Sequence, residues 1–178
     1  MARVEYLTAE QLDEQHRHLL ARPINLSRAV AHSPAGLQQF QRYAQWIRFE
    51  CEVDPRLREL AILRVGYLAG SEYEYSHHVE IGRHFGVTDD DIRAIGGPDG
   101  TARDPAAGVV LQAATEITQD CRLADPTWQS LVELLGLRAA VELVLVVAHY
   151  SAVVRVIGAL EVDVEERYRG YLDEFPLP

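Results

Sequence analysis

The chain has 178 residues, of which 48% are apolar and 25% are charged, and its formal net charge is −10. This composition is typical of one folded globular domain and excludes a disordered or fibrous chain. An acidic surface repels nucleic-acid phosphates and anionic lipids, so we expect neither nucleic acid nor a membrane among its partners.

All 17 basic residues are arginine, because the sequence contains no lysine. This excludes Schiff-base catalysis by lysine, a pyridoxal-phosphate lysine and the lysine of a phosphate-binding loop. The two cysteines, Cys51 and Cys121, form no CxxC pair, which excludes a zinc knuckle and a dithiol redox motif. The first residues contain no long apolar run, so we expect no signal peptide and a cytoplasmic protein.

Helix start and stop signals recur along the whole chain, and no segment shows the strict alternation of a half-buried strand. The starts are a capping box at Thr8 with Gln11, four residues placed before proline (Ser33, Asp54, Asp104, Asp125), and Thr88. The stops are Gly70, Gly86 and Gly136. The predicted helices cover residues 8–21, 34–50, 55–69, 72–85, 89–95, 105–122, 126–135 and 137–160, with a tail helix near 163–172. We therefore predict an all-α fold of about eight helices in one domain.

The predicted helix 72–85 carries the densest group of titratable side chains. Glu74 and His78 lie four residues apart, so their side chains are neighbours on the helix. An imidazole beside a carboxylate is a candidate general acid or base, since its ordinary pKa lies near working pH. Glu59 heads an apolar run on the preceding helix, where a lone carboxylate needs a partner. Spacing alone also permits a solvated stabilising pair, which we favour for Glu80 and His84.

A metal site is a weaker interpretation of the same segment. Glu74 and His77 fit the Glu-x-x-His spacing of di-iron bundles, but a second copy of that motif is required and the sequence has none. We therefore expect no metal ion. Acidic residues precede Cys51 and Cys121, and nearby negative charge raises the pKa of a thiol and makes it less reactive.

The apolar stretch 139–160 is long enough to span a bilayer, but it contains Glu142, His149 and Arg155, which favours a buried helix instead. A guanidinium inside such a stretch needs a partner. For Arg155 that partner is either a substrate carboxylate or an internal carboxylate, Glu59 or Glu142.

Three segments of the chain carry a resemblance to a known family: residues 58–65 (RELAILRV), 70–78 (GSEYEYSHH) and 86–92 (GVTDDDI). Together they resemble the carboxymuconolactone decarboxylase / AhpD-like superfamily, best over residues 56–95, with a helical extension at 1–50. The resemblance implies an AhpD-like helical bundle, assembly into trimers or hexamers, and activity without a metal or an organic cofactor.

The AhpD-like branch has a CxxC pair ahead of a histidine and a glutamate upstream in a proton relay. By position, Ser71 and Glu74 stand at the two cysteines, His78 at the histidine and Glu59 at the glutamate, with Tyr73 between the cysteine positions. Because both thiols are missing, thiol-based peroxide reduction is not available at this site. The decarboxylase branch lacks the cysteines and uses the histidine as an acid or base on a lactone acid.

The decarboxylase branch also implies a Gly-Val-Pro-x-x-Asn stretch on the last long helix. This chain has the residues Ser-Ala-Val-Val-Arg at 151–155 instead. The resemblance therefore does not imply 4-carboxymuconolactone itself as the substrate.

The principal hypothesis is a cofactor-independent, lyase-type enzyme that moves a proton on a small organic acid, lactone or related carbonyl compound. Its catalytic residues are His78, Glu74 and Glu59. Its substrate-binding candidates are Tyr73, Ser71, Arg155, His149 and Tyr150. One alternative is a non-catalytic helical oligomer or small-ligand binder with a degenerate site. The other is residual alkylhydroperoxidase or peroxiredoxin-type activity through Cys51 or Cys121.

Overall fold

Helices make up nearly all of the regular structure in the computed structural model, which describes residues 2–97 and 104–178. No strand occurs in these ranges, so the predicted all-α fold is confirmed. Two short 3₁₀ segments, Ala9–Gln11 and Glu14–Leu20, come first. The α-helices are α1 (Asn25–Val30), α2 (Pro34–Phe49), α3 (Pro55–Leu68), α4 (Glu72–His84), α5 (Asp89–Ala94), α6 (Pro105–Asp120), α7 (Asp125–Leu160) and α8 (Glu166–Glu174).

The N-terminal part differs from the sequence prediction. The expected helix 8–21 is replaced by the two 3₁₀ segments, and α1 was not predicted. Helix α1 has only six residues, and its N-terminal N–H groups are satisfied by distant side chains. The Asn25 N–H donates to Glu165 at 2.6 Å and the Leu26 N–H donates to the Tyr73 hydroxyl at 3.1 Å. Local sequence carries no signal for partners that lie 140 and 47 residues away.

The capping predictions hold at α3, α5 and α6 and fail at two other helices. Asp54, Thr88 and Asp104 each accept a hydrogen bond from an N–H of the first helical turn. Ser33 makes no such bond. Helix α7 begins one residue earlier than predicted, so that Asp125 is already helical.

Helices α3 and α4 form a buried antiparallel hairpin that builds the site. Residues 57–66 of α3 and 73–79 of α4 are all buried. A Cβ added at Gly66 would lie 3.2 Å from the backbone nitrogen of Tyr75, closer than most side chains tolerate. The missing side chain therefore lets the two helices approach closely. This approach brings carboxylates of both helices within reach of one imidazole.

The two helices predicted over residues 126–135 and 137–160 form one long helix, α7, which is interrupted at Gly136. At Gly136 the backbone has φ 78° and ψ 159°, a region that only glycine adopts readily. The second arm, 137–160, packs one face into the core. No helix in the described ranges is both long enough and apolar enough to cross a membrane.

Candidate active site

The imidazole of His78 lies between two carboxylates from adjoining helices. Its Nδ1 is 2.7 Å from Oε2 of Glu59 on α3, and its Nε2 is 3.0 Å from Oε1 of Glu74 on α4. All three side chains are buried, with residue exposures of 3–5%. The structure thus brings together the three residues that the sequence singles out as catalytic candidates.

This geometry fixes the protonation state of His78. An ionised carboxylate only accepts hydrogen bonds, so the Nδ1 bond to Glu59 and the close approach of Glu74 to Nε2 both favour a ring that is protonated on both nitrogens. Burial lowers the pKa of His78, but the two carboxylates outweigh it and raise the pKa to about 9. The ring is therefore an imidazolium at neutral pH, a proton donor rather than a free base.

Arg58 completes the charge balance on the far side of Glu59. Its Nε lies 3.2 Å from Oε1 of Glu59, its Nη1 donates to the carbonyl of Ile47, and its guanidinium lies over the ring of Phe85. Burial raises the pKa of Glu59, but His78 and Arg58 outweigh it and the net shift is downward. Glu59 is thus an ionised, fixed carboxylate that orients His78.

A cavity of about 200 Å³ opens beside this cluster. Its titratable lining consists of Tyr73, Glu74, His77, His78, His149 and Tyr150. Its apolar lining comes mainly from Ile24, Leu26, Leu37, Phe40, Ile81 and Val153, and two arginines, Arg22 and Arg48, also line it. A mostly apolar cavity with a few converging polar groups is the usual form of a small-molecule site.

Tyr150 and His149 reach the cavity from α7. The Tyr150 ring lies edge-on to His78 with centroids 5.0 Å apart, and no residue of the described ranges hydrogen-bonds its hydroxyl. Burial, with Glu74 and Glu59 adding to it, raises the pKa of Tyr150, so its hydroxyl stays protonated. His149 stacks on Tyr43 at 4.5 Å, and burial lowers its pKa although Glu74 opposes the shift. Together they offer a donor and a neutral imidazole to a ligand.

A second buried cluster lies behind His77. Its Nδ1 is 2.7 Å from the Tyr73 carbonyl and its Nε2 is 3.1 Å from Oε2 of Glu165, although this second contact lacks hydrogen-bond geometry. The Tyr73 hydroxyl donates to the other oxygen of Glu165, and the His77 ring packs between Tyr73 and Tyr168. Tyr73 is therefore a cavity residue whose hydroxyl ties α4 to the C-terminal segment.

Residues 34–116 match the model of the carboxymuconolactone decarboxylase family. This segment belongs to that family. The match runs from the start of α2 into α6, so it includes Glu59, Glu74 and His78 but leaves His149 and Tyr150 outside. The family resemblance that the sequence suggests is thereby confirmed. A comparison with curated protein sequences gives no match.

Two solved structures share the fold, and both are of the debrominase Bmp8. One is a cysteine-to-alanine variant in complex with 2,3,4-tribromopyrrole, which aligns with a TM-score of 0.78 and 19% identity over 98% of this chain and 100% of that chain. The other is the apo protein, with a TM-score of 0.75 and 19% identity over 94% of this chain and 91% of that chain. At this identity the likeness establishes the AhpD-like helical fold that the family implies.

Two of the predicted substrate-binding residues of this chain lie outside the cavity. Arg155 is exposed, and its guanidinium donates to the carbonyl of Ser151 one turn earlier. It pairs with neither of the expected acids, because Glu59 is held by Arg58 and His78, while Glu142 is held by Arg138 and the Glu52 N–H. The expectation of a buried Arg155 is wrong because its position faces away from the packed side of α7.

Ser71 also has a local role. Its hydroxyl caps α4 by accepting from the Glu74 N–H at 3.4 Å, and the residue lines a separate groove beside Gly70 and Val154. The capping bond helps to hold the first turn of α4, and thus Glu74, in place.

The cysteines do not contribute to the cavity. Cys51 is half-buried, and burial together with Glu142 raises its thiol pKa, while Cys121 is exposed. Both are free thiols. Within residues 2–97 and 104–178, no group of three or more His, Cys, Asp or Glu side chains is arranged to hold a metal ion.

Sequence reasoning did not single out four residues as members of the site: Arg22, Arg48, His77 and Glu165. His77 lies in the segment that the sequence favours, but its spacing pointed only to a metal ligand. Arg22 precedes α1 and Arg48 lies in α2, and neither segment carries a motif. Glu165 lies 88 residues after His77. Only packing of the N-terminal and C-terminal segments against α4 brings Arg22 and Arg48 to the cavity and Glu165 to His77.

Proposed function

We propose that the protein is a cofactor-independent enzyme that transfers a proton on a small organic acid, lactone or related carbonyl compound, in a lyase-type reaction. The observation that carries the proposal is the Glu74–His78 pair at the cavity wall, 3.0 Å between Oε1 and Nε2, with Glu59 behind it. A carboxylate paired with an imidazolium beside an apolar cavity suits general acid–base catalysis.

The roles follow from the protonation states. Because His78 is already an imidazolium, Glu74 is the group that accepts a proton from the substrate, and His78 holds and supplies the compensating positive charge. Glu59 positions His78 through Nδ1. The protonated Tyr150 hydroxyl donates to a substrate oxygen on which negative charge develops.

The aromatic lining of the cavity supports a flat substrate. Phe40 and the rings of His149 and Tyr150 line it, and flat conjugated molecules pack well against such rings. The ligand in the related Bmp8 complex, 2,3,4-tribromopyrrole, is itself a flat ring. Cys51 and Cys121 do not line the cavity, so the proposal includes no thiol step.

A second candidate function is ligand binding without catalysis. It is favoured by one observation, that both ring nitrogens of His78 are already occupied by carboxylates. In that case Glu59, Glu74 and His78 would form only a structural ion cluster, and the cavity would bind a small molecule unchanged.

Proton exchange in D₂O distinguishes catalysis from ligand binding alone. Because a panel of compounds is tested, the natural substrate need not be known. A panel of lactones, β-keto acids and unsaturated acids is incubated with the protein, and deuterium incorporation and CO₂ release are followed by NMR. We expect catalysed exchange or release with at least one compound, reduced about 10²–10⁴-fold in Glu74→Gln and in His78→Gln. Glu80→Gln, an exposed acid on the same helix, is the matched control. Retention of full turnover by His78→Gln would contradict the proposal.

Assembly with identical chains, as a trimer or hexamer, and a cytoplasmic location are part of the same proposal. Leu137, Val141 and Leu145 are 41–62% exposed at spacings of four along the second arm of α7, and such an apolar stripe is typical of a covered surface. Both cysteines are unpaired, as is usual in a reducing compartment.

A further inference from the structure

Charge is unevenly distributed around the cavity. Glu74 and His78 are buried at its inner wall, whereas Arg22 and Arg48 line it from exposed positions. Arg22 lies just before α1, and Arg48 lies in the last turn of α2. The cavity therefore has a cationic rim and an inner wall that carries a carboxylate.

These two arginines are unusual in a chain with a net charge of −10. Most arginines in residues 2–97 and 104–178 bond to a carboxylate, a carbonyl or a hydroxyl. Within those ranges the exceptions are Arg22, Arg42, Arg48 and Arg122, and two of the four line the cavity. A guanidinium offers a planar set of donors that matches a carboxylate, and here no internal carboxylate takes it.

The Arg48 charge also acts toward the inner part of the cavity. Burial raises the pKa of Tyr150, and Arg48 is among the groups that oppose this rise, which indicates that its field reaches the phenol. An anion held by Arg48 would therefore extend its remaining atoms toward Tyr150 and Glu74. The negative charge of Glu74 disfavours the opposite orientation, with the anionic group inward.

We infer that the cavity selects a small planar carboxylate, whose carboxylate group binds Arg48 and Arg22 at the rim while its uncharged end contacts Glu74 and Tyr150. This inference rests on the proposed function, because it names the substrate class for that same site. Arg48 and Arg22 determine which substrates bind. They take no part in the proton transfer, in which Glu74 is the acceptor.

The test measures binding rather than turnover. Three matched pairs serve as probes: benzoate and benzamide, 2-furoate and 2-furamide, and sorbate and sorbamide. Each is titrated against the full-length protein by ligand-observed NMR at low and high NaCl. We expect at least one acid to bind more tightly than its amide, with affinity that falls as salt rises. Arg48→Gln or Arg22→Gln should weaken that acid about tenfold, whereas Arg42→Gln, an exposed arginine of α2 away from the cavity, should not change it.

Three results would overturn the inference: no acid of the panel binds, the amides bind as tightly as their acids, or neither arginine variant changes acid affinity. These outcomes are separable from failure of the proposed function. Proton exchange on neutral lactones that depends on Glu74, without any preference for acids, would leave the function and remove the inference. Arginine-dependent acid binding without proton exchange on any compound would do the reverse.

Discussion

Nδ1 of His78 and Oε2 of Glu59 lie 2.7 Å apart across the α3–α4 hairpin, and both side chains are buried. The contact makes a buried imidazolium stable and keeps a buried carboxylate ionised. It therefore links the charge state of the site to the stability of the fold.

The first prediction concerns pH. Because the folded-state pKa of His78 is raised to about 9 from an ordinary value of about 6.5, its contribution to stability is fully present below pH 6.5. That contribution, on the order of 3 kcal/mol, is lost as the pH rises from 6.5 through 9. Urea unfolding of wild type and of His84→Gln, an exposed control on the same helix, should show the same loss.

His78→Gln should lack this pH-dependent loss. If that variant does not fold, the pKa of His78 can be measured directly in the wild type by following its ring signal by NMR as the pH is raised. A midpoint near 6.5 would contradict the prediction.

The second prediction concerns Glu165, which joins three parts of the chain. Its Oε1 accepts from the Asn25 N–H and from the Tyr73 hydroxyl, and its Oε2 faces His77. Glu165→Ala removes the acceptor of the part-buried Asn25 N–H and Tyr73 hydroxyl, so we expect the free energy of unfolding to fall by about 1–3 kcal/mol. Hydrogen exchange should become faster in α1 and α8.

Glu166→Ala is the control for that change. Its carboxylate is exposed and pairs only with Arg169 on the surface, so the free energy of unfolding should change by less than about 0.5 kcal/mol. Equal effects of the two substitutions would show that the bonds of Glu165 to Asn25 and Tyr73 do not stabilise the fold.

The third prediction concerns the break in α7. Gly136→Ala places a side chain where φ is 78° and ψ is 159°, which costs about 1–3 kcal/mol in backbone strain. Gly158→Ala lies in the same helix with ordinary φ and open space around its Cβ, so it should be neutral or stabilising by up to about 1 kcal/mol. Thermal unfolding of the pair measures the difference, and a Gly136→Ala variant as stable as Gly158→Ala would contradict it.

The fourth prediction concerns the exposed stripe of α7. Leu137→Glu places a carboxylate at a position that is 62% exposed in the single chain, so a folded monomer tolerates it. An interface that covers this position does not tolerate the charge. We expect sedimentation velocity to show a smaller species than the wild type. Gln129→Glu, exposed on the other arm of α7, should keep the wild-type species. A monomeric wild type would remove the proposed assembly.

Much of the fold follows from local sequence. Helix caps such as Asp54 and Asp104 and helix ends such as Gly136 act on neighbouring backbone groups, so their effect is written within a few residues. The Glu74–His78 pairing is local for the same reason, since residues four apart on a helix are neighbours. The sequence alone therefore determined the all-α class and most of the helix boundaries to within a few residues. Of the two contacts of His78 with carboxylates, it determined the one with Glu74.

The tertiary structure decided which charges face the cavity. Arg155 lies within an apolar stretch of the sequence but is exposed in the structure. Arg48 and Arg22 belong to no sequence motif, yet they line the cavity. The tertiary structure also determined that His78, which the sequence leaves as either an acid or a base, is an imidazolium, because Glu59 and Glu74 approach it from both sides. Burial and charge proximity depend on distances between segments far apart in the chain, and such distances exist only once the helices have packed.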